Sequence, residues 1–382
     1  MKATILHISH TDISGDSRIL KEMQALTVFA ADRGLKVVGI GIAEEQGNKN
    51  NKKLDNCEIY SVNLLMRKLP VFVRRVLVPL ILIELVIRFL WLIRNYKPVV
   101  IHCHDTIVLP IALVLSLKHD VRLVYDAHEL ESRRNRQNRL NSALTKFIEY
   151  VAWKRIDLFI SVSPSINEWY LEEFGHKKNV TVLNSPEVPK YIEKAPGNVS
   201  FRQKFRISRS EIVFVYLGVF SPGRGIKRVL DVFSNENVSS HLLFVGWGDY
   251  EELIEGYSRK NANIHIHEPV AHKDVVSLIS ECNFGLCMVE SVSLSDYFCL
   301  PNKLFEYCFS GLPVLASDLP ELSRVIKDHD IGVTCGVSDE EMIAAVITLS
   351  SGDLSFRFRN LENLSWQTQS NILLDGYSEL LQ

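Results

Sequence analysis

Leu300-Pro-Asn-Lys-Leu-Phe-Glu-Tyr307 and, beyond Ser310, Gly311-Leu-Pro-Val-Leu-Ala-Ser-Asp318 read as a proline turn, a helix with one acid, a glycine stop and an apolar strand. A helix running straight into a short apolar strand is the repeating half of a parallel α/β sheet. Pro301 suits the first turn of that helix, where its missing N–H is no loss. Asn302, Lys303 and Leu304 then offer backbone N–H groups at the positive end of the helix, which suits an anion. Glu306 falls about one turn further in, where its carboxylate can accept hydrogen bonds from two neighbouring hydroxyls. An anion seat followed by a diol acceptor is the chemistry needed to hold a nucleoside diphosphate. An ordinary helix–turn–strand unit with a solvated Glu306 fits the same letters.

Outward from this block, strand-like and helix-like patterns alternate twice over. The first half places strands at 3–9, 36–42, 99–102, 122–126 and 158–163, with helices at 18–33 and around 142–154. The second half restarts with strands at 212–218, 241–246, 263–267 and 284–288 and helices at 227–233 and 250–259. Leu183-Asn-Ser-Pro-Glu-Val-Pro189 and the polar residues up to Ser200 break the rhythm and read as a hinge. The expected fold class is α/β, with two Rossmann-like domains, 1–185 and 200–360, facing each other across a cleft. Ligands of such sheets bind at the carboxyl ends of the strands.

Bulk properties agree. A chain of 382 residues has the length of two ordinary domains, and 47% apolar with 23% charged residues is normal for a globular protein. A formal net charge of −2 gives no electrostatic case for nucleic acid. The seven cysteines are scattered with no Cys-x-x-Cys pair, so zinc and dithiol redox sites are not expected. Free buried thiols, with a first strand that begins at once and shows no signal-peptide pattern, point to the cytoplasm.

Residues 71–96 are strongly apolar, but their longest uncharged run, Val76–Ile83, is far short of the roughly 20 residues of a spanning helix. Wound as one helix, Arg74, Glu84, Arg88 and Asn95 share a narrow stripe, which favours a helix packed into its own domain. The second reading is a monotopic membrane contact through residues 67–96, with Arg67, Lys68, Arg74 and Arg75 meeting anionic head groups at the inner face of the membrane.

The 300–318 block resembles the donor site of retaining family-four glycosyltransferases of the GT-B fold, in particular the branch reading "LPNK.FEY...G.PV..S". Other segments agree in order and spacing, so the resemblance covers nearly the whole chain. It implies a nucleotide-sugar donor, a hydroxyl of a glycan or lipid-linked glycan as acceptor in surface polysaccharide biosynthesis, and no metal or other cofactor. It makes the first domain acceptor-binding and the second nucleotide-sugar-binding, and it returns the last helix, 366–382, to the first domain.

Several segments take roles from that resemblance. In His10-Thr-Asp-Ile-Ser-Gly-Asp-Ser-Arg-Ile19, Gly15 would approach the donor phosphates while Asp16 and Arg18 face the acceptor; Asp16 also suits a plain helix N-cap. His102-Cys-His-Asp105 and Tyr125-Asp-Ala-His-Glu129 end strands. His128 matches the position beside the transferred sugar, where an imidazole donates to a hydroxyl or shifts a proton near pH 7. His104, Asp105 and Glu129 fall on the acceptor side. The His-x-His spacing tempts a metal reading, but no Cys or Glu cluster in the sequence completes a coordination sphere.

Tyr216-Leu-Gly-Val-Phe-Ser-Pro-Gly-Arg-Gly225 is the glycine loop of the second domain, with Arg224 and Gly225 at a pyrophosphate. Two positions depart from the family pattern. Val219 replaces its first Arg, for which Lys303 is a candidate substitute. Phe298 replaces the first acid of its Glu pair, leaving Glu306 as ribose anchor; Asp296 or Glu290 takes the vacant place only if the loop folds differently. Gly246-Trp-Gly248 lacks the third glycine of a dinucleotide fingerprint, and Asp328-His-Asp330 reads as a surface turn. The expected activity is sugar transfer, with His128 and Glu306 as the catalytic pair. A non-catalytic partner subunit and a sugar-nucleotide epimerase are the rivals.

Overall fold

The computed structural model describes residues 3–43, 52–54, 57–118, 121–187, 200–270 and 272–382. They fall into two compact units, 1–182 with 370–382, and 183–369. Of the hinge expected over 183–200, residues 188–199 lie outside the described residues.

The first unit is built on eight strands, β1 (Ala3–Ile8), β2 (Lys36–Ile42), β3 (Lys52–Leu54), β4 (Cys57–Val62), β5 (Lys97–His104), β6 (Arg122–Ala127), β7 (Leu158–Ser161) and β8 (Asn179–Thr181). Their order is β3-β4-β2-β1-β5-β6-β7-β8, parallel except for β3. The connecting helices are α1 (Ser17–Ala31), α2 (Val71–Val76), α3 (Val78–Ile93), α4 (Leu109–Lys118), α5 (Arg139–Trp153) and α6 (Pro164–Phe174). Strands covered on both faces read as near-continuous apolar runs, and Ile5, Leu6, Val37, Val38, Val100 and Ile101 are all fully buried.

The second unit has six parallel strands in the order β11-β10-β9-β12-β13-β14. They are β9 (Val213–Val219), β10 (His241–Trp247), β11 (Ile264–His267), β12 (Phe284–Cys287), β13 (Val314–Ser317) and β14 (Gly332–Cys335). Its helices are α7 (Phe201–Phe205), α8 (Ile226–Phe233), α9 (Glu251–Ser258), α10 (His272–Ile279), α11 (Leu294–Tyr297), α12 (Asn302–Phe309), α13 (Pro320–His329) and α14 (Asp339–Ser350). Two apolar clusters, one on each sheet face, make its core. The last helix, α15 (Trp366–Leu380), reaches the first unit, where the Tyr377 hydroxyl meets His102 Nδ1 at 2.8 Å and its ring packs edge-on to Phe29.

The apolar stretch 71–96 differs from the single packed helix expected. It breaks at Leu77 into α2 and α3, with Pro79 in the first turn of α3. Glu84 does not line a wet stripe with Arg74; it accepts from the Leu65 and Met66 amides and from Arg88. Only Leu85, Phe89 and Ile93 of α3 are buried, and most of its large apolar side chains face outward. Among the described residues no helix is long and apolar enough to cross a membrane.

Candidate active site

Asp126, near the carboxyl end of β6, is the hub of a buried polar cluster in the first unit. Successive strand residues point to opposite faces. Tyr125 turns toward Thr106 and Glu149 on the α4–α5 side, and Asp126 turns toward α1. Arg18, in the first turn of α1, lies along both carboxylate oxygens, with Nη2–Oδ1 2.9 Å and Nε–Oδ2 3.3 Å. The same guanidinium donates to the Val182 carbonyl at 2.8 Å and pairs with Glu22 at 3.0 Å. Burial would raise the Asp126 carboxyl, but the Arg18 guanidinium and the His128 imidazolium hold it well below the usual carboxylate range.

His128 follows β6 and keeps 18% of its side chain exposed, with Nε2 3.2 Å from Asp126 Oδ2 and Nδ1 3.8 Å from Asp105 Oδ1. Burial alone would lower its pKa. The two carboxylates outweigh that and carry it up to about 10. His128 is therefore an imidazolium at neutral pH. Of the two roles expected for the ring, this charge environment favours donation of a hydrogen bond over a proton shift near pH 7.

Asp105 follows β5 with φ 64° and ψ 164°, a backbone region that essentially suits glycine. Its N–H donates to the Asp126 carbonyl at 3.0 Å, and its carboxylate sits between His128 and His10, the latter at 3.5 Å. His104 is fully buried; its Nδ1 lies 3.3 Å from Asp126 Oδ2 and 3.2 Å from His128 Nε2, and its Nε2 lies 2.9 Å from His7 Nδ1. Glu129 is half-exposed and paired with Arg134 at 2.9 Å.

Two sets of ligand-type atoms, His7/His102/His104 and Glu22/His102/His104/Asp126, each lie within 4.8 Å. The sequence hid the additional members because His7, Glu22 and Asp126 come from separate elements. Arg18 lies between Glu22 and Asp126 of the second set, at 3.0 and 2.9 Å.

In the second unit, charge collects at the carboxyl ends of β9 and β12. Lys303 Nζ sits 3.6 Å over the Tyr216 ring, and the Tyr216 hydroxyl donates to the Arg224 carbonyl at 3.2 Å. Burial raises the Cys287 thiol at the end of β12 to about 11, opposed by the positive charges of Lys303 and Arg224. Both cations thus act on the same spot. Gly225 precedes α8 at φ 66°, and a Cβ there would lie 2.7 Å from that of Met288. Glycine is obligatory at that position. Glu306 is half-buried, one turn into α12 from the exposed Asn302.

Some expectations need correction. Arg18 and His104 are enclosed by the first unit's own groups and do not face an acceptor. Asp16 is the N-cap of α1, accepting from the Arg18 and Ile19 amides. The Leu304 amide donates to the Pro301 carbonyl at 3.0 Å and its side chain is fully buried, so it offers an anion nothing. Gly15 has open space where a Cβ would go. Of the acids weighed for the place Phe298 leaves vacant, Asp296 is buried and tied to Ser293. Glu290 is exposed, and its amide donates to the Gly223 carbonyl, beside the glycine loop. The sequence reading missed Tyr216 and the exposed Trp247, which is paired in register with Val219.

Two family models match the chain, Glycosyltransferase Family 4 over residues 30–185 and Glycosyl transferases group 1 over 199–354. A glycogen synthase from Mycobacterium tuberculosis is 23% identical over 299 residues, covering 74% of this chain and 69% of its own. A chitobiosyldiphosphodolichol beta-mannosyltransferase from Candida albicans is 23% identical over 268 residues, 63% of this chain and 58% of its own. Among solved structures, sucrose-phosphate synthase from Thermosynechococcus elongatus aligns over 100% of this chain and 99% of its own, with TM-score 0.78 and 16% identity. The Anabaena protein HepE in complex with UDP-glucose aligns over 98% and 99%, with TM-score 0.72 and 13% identity.

Proposed function

We propose, since this chain belongs to the GT-B glycosyltransferases of the family-four type, that it moves a sugar from a nucleoside diphosphate sugar to a hydroxyl of a glycan or lipid-linked glycan. Transfer would retain the anomeric configuration, need no metal and serve surface polysaccharide synthesis. The observation that carries the donor assignment is the meeting of Lys303 and the Arg224 main chain at Tyr216 of β9, beside the glycine loop. When the bond from the anomeric carbon to the diphosphate oxygen breaks, the electron pair goes to the diphosphate, and fixed cations stabilise that charge. The acceptor oxygen forms the new bond to the same carbon and passes its proton to the departing diphosphate oxygen. Asn302 and Lys303 would offer main-chain amides to the diphosphate, Glu306 would take the ribose hydroxyls, and Glu290 would face the sugar. In the first unit Gly15 would admit the donor closely, and His128 would donate to the transferred sugar as an imidazolium, steadied by Asp105, with Glu129 toward the acceptor. The apolar and basic stretch 67–96 would rest on a membrane.

Isothermal titration with UDP-glucose and related sugar nucleotides, coupled to a donor-hydrolysis assay, tests the reading. Binding with turnover that survives a chelator is expected, and Lys303→Ala should weaken binding about tenfold or more. Binding without any turnover would instead favour a partner subunit, and unaltered affinity in Lys303→Ala would remove Lys303 from the diphosphate.

A further inference from the structure

Three consecutive helices of the first unit, α3, α4 and α5, share one face of its sheet with α6 beyond them. The connections β4-to-β5, β5-to-β6, β6-to-β7 and β7-to-β8 all step in the same direction along the strand order, carrying α3, α4, α5 and α6 respectively. Crossovers between parallel strands are right-handed, so helices that step the same way lie on the same side. The side chains agree: Tyr125 contacts Glu149 of α5 on this face, while His102 and Asp126 meet α15 and α1 on the other.

The outward side of this layer is apolar across all three helices. On α3, Ile83, Ile87 and Trp91 are exposed, and Phe72 of α2 is 73% exposed. Between them and α5 stand Val114 and Leu117 of α4. On α5, Leu140, Leu144, Phe147 and Val151 recur at helical spacing, with Leu140 77% and Phe147 62% exposed. Isolated exposed apolar residues are ordinary, but a continuous face of them marks an interaction site.

The charges around α3, α4 and α5 are mostly positive; the exposed acids of this face, Glu168, Glu172 and Glu173, stand on α6, where Glu173 pairs with Lys146 of α5 at 2.6 Å. Over residues 63–98 the only carboxylate is Glu84, already bonded to two amides and Arg88. Over 133–155 the only one is Glu149, buried among Tyr125, Tyr170 and Thr106. Exposed Lys68 and Arg94 border α3, and exposed Arg133, Arg136, Arg139 and Lys154 border α5. The chain as a whole carries −2, so these three helices concentrate positive charge against the balance of the molecule. A two-fold contact with a second copy would set cationic rim against cationic rim. A bilayer with anionic head groups meets both features at once, accepting apolar side chains beneath and cations at the phosphate level. Trp91 and Tyr150 add aromatic groups of the kind that settle at that depth.

We infer that the whole α3–α4–α5 face, and not residues 67–96 alone, docks on an anionic membrane, with α5 and the arginines before it as a second anchor. The inference rests on the membrane contact proposed for 67–96 and extends it. Co-sedimentation of the full chain tests it, using vesicles of phosphatidylcholine alone or mixed with phosphatidylglycerol. Leu144→Glu with Phe147→Glu alters α5, and Ile87→Glu with Trp91→Glu alters α3; circular dichroism checks that each exposed-site variant folds. The wild-type chain should bind the mixed vesicles, release at high salt, and lose at least about tenfold in affinity through either pair of changes. If the α5 pair binds like the wild type while the α3 pair fails, the inference is overturned and the 67–96 contact stands. If neither vesicle captures the wild type, both membrane statements fall, while sugar-nucleotide titration judges the transferase reading separately. Equal capture by phosphatidylcholine alone would also overturn it, as would a wild-type dimer that the α5 pair dissociates.

Discussion

Asp105 holds a conformation that costs an ordinary residue about 1–3 kcal/mol, and its carboxylate is one of two that keep His128 protonated. Backbone and charge are thus committed to one imidazole. Asn has the same shape as Asp, so Asp105→Asn keeps the backbone as it is and changes chiefly the charge beside His128. Turnover should fall about tenfold or more, and the alkaline limb of the pH–rate profile, expected near the His128 pKa of about 10, should move to lower pH. Gly15 and Gly225 separate function from fold in another way. Gly225→Ala forces a Cβ onto Met288 at positive φ and should destabilise the second unit, read as a lower denaturation midpoint. Gly15→Ala meets no protein atom within 4 Å, so its effect should appear in donor affinity and not in stability. The sequence made Arg224, Lys303 and His128 legible because motif spacing carries them. It did not show that Arg18 turns inward, because Arg18's partners Asp126 and Val182 reach it only through the sheet.

Elements were legible where apolar periodicity was clear. β2 runs over Lys36–Ile42 as the pattern indicates, and α12 begins at Asn302 behind Pro301. α4, Leu-Pro-Ile-Ala-Leu-Val-Leu-Ser-Leu-Lys, is apolar nearly all round, so it has no phase to read. The division of 71–96 was missed because one charge stripe was fitted through Leu77, where the helix breaks. α15 offers a test at this scale. Its Tyr377 hydroxyl is the partner of a fully buried His102 nitrogen. Tyr377→Phe leaves that nitrogen unpaired and should cost about 1–3 kcal/mol, measurable as a lower denaturant midpoint with an unchanged slope.

For the molecule as a whole, the buried cluster sets the pH response. His128 has a folded pKa of about 10, above the unfolded 6.5, so its contribution is complete below about pH 6.5 and is lost as pH rises through 10. Glu22, raised to about 8 chiefly by burial and then by Asp126, weakens the fold in the same direction as pH rises. His102, lowered to about 3 by burial, acts oppositely: its contribution is complete above pH 6.5 and declines as pH falls. Calorimetry should therefore show the highest melting temperature near neutrality, with an alkaline decline that His128→Gln makes shallower. An unaltered alkaline slope in that variant would show that His128 is not the group responsible. A further consequence lies in the route of the chain, which leaves the first unit after Val182 and re-enters it at Ser370. On the ribosome, residues 183–369 are available to settle before the strip that completes their predecessor has been made. The earlier half of the nascent protein must wait, with His102 and Phe29 uncovered, until Tyr377 emerges to close it.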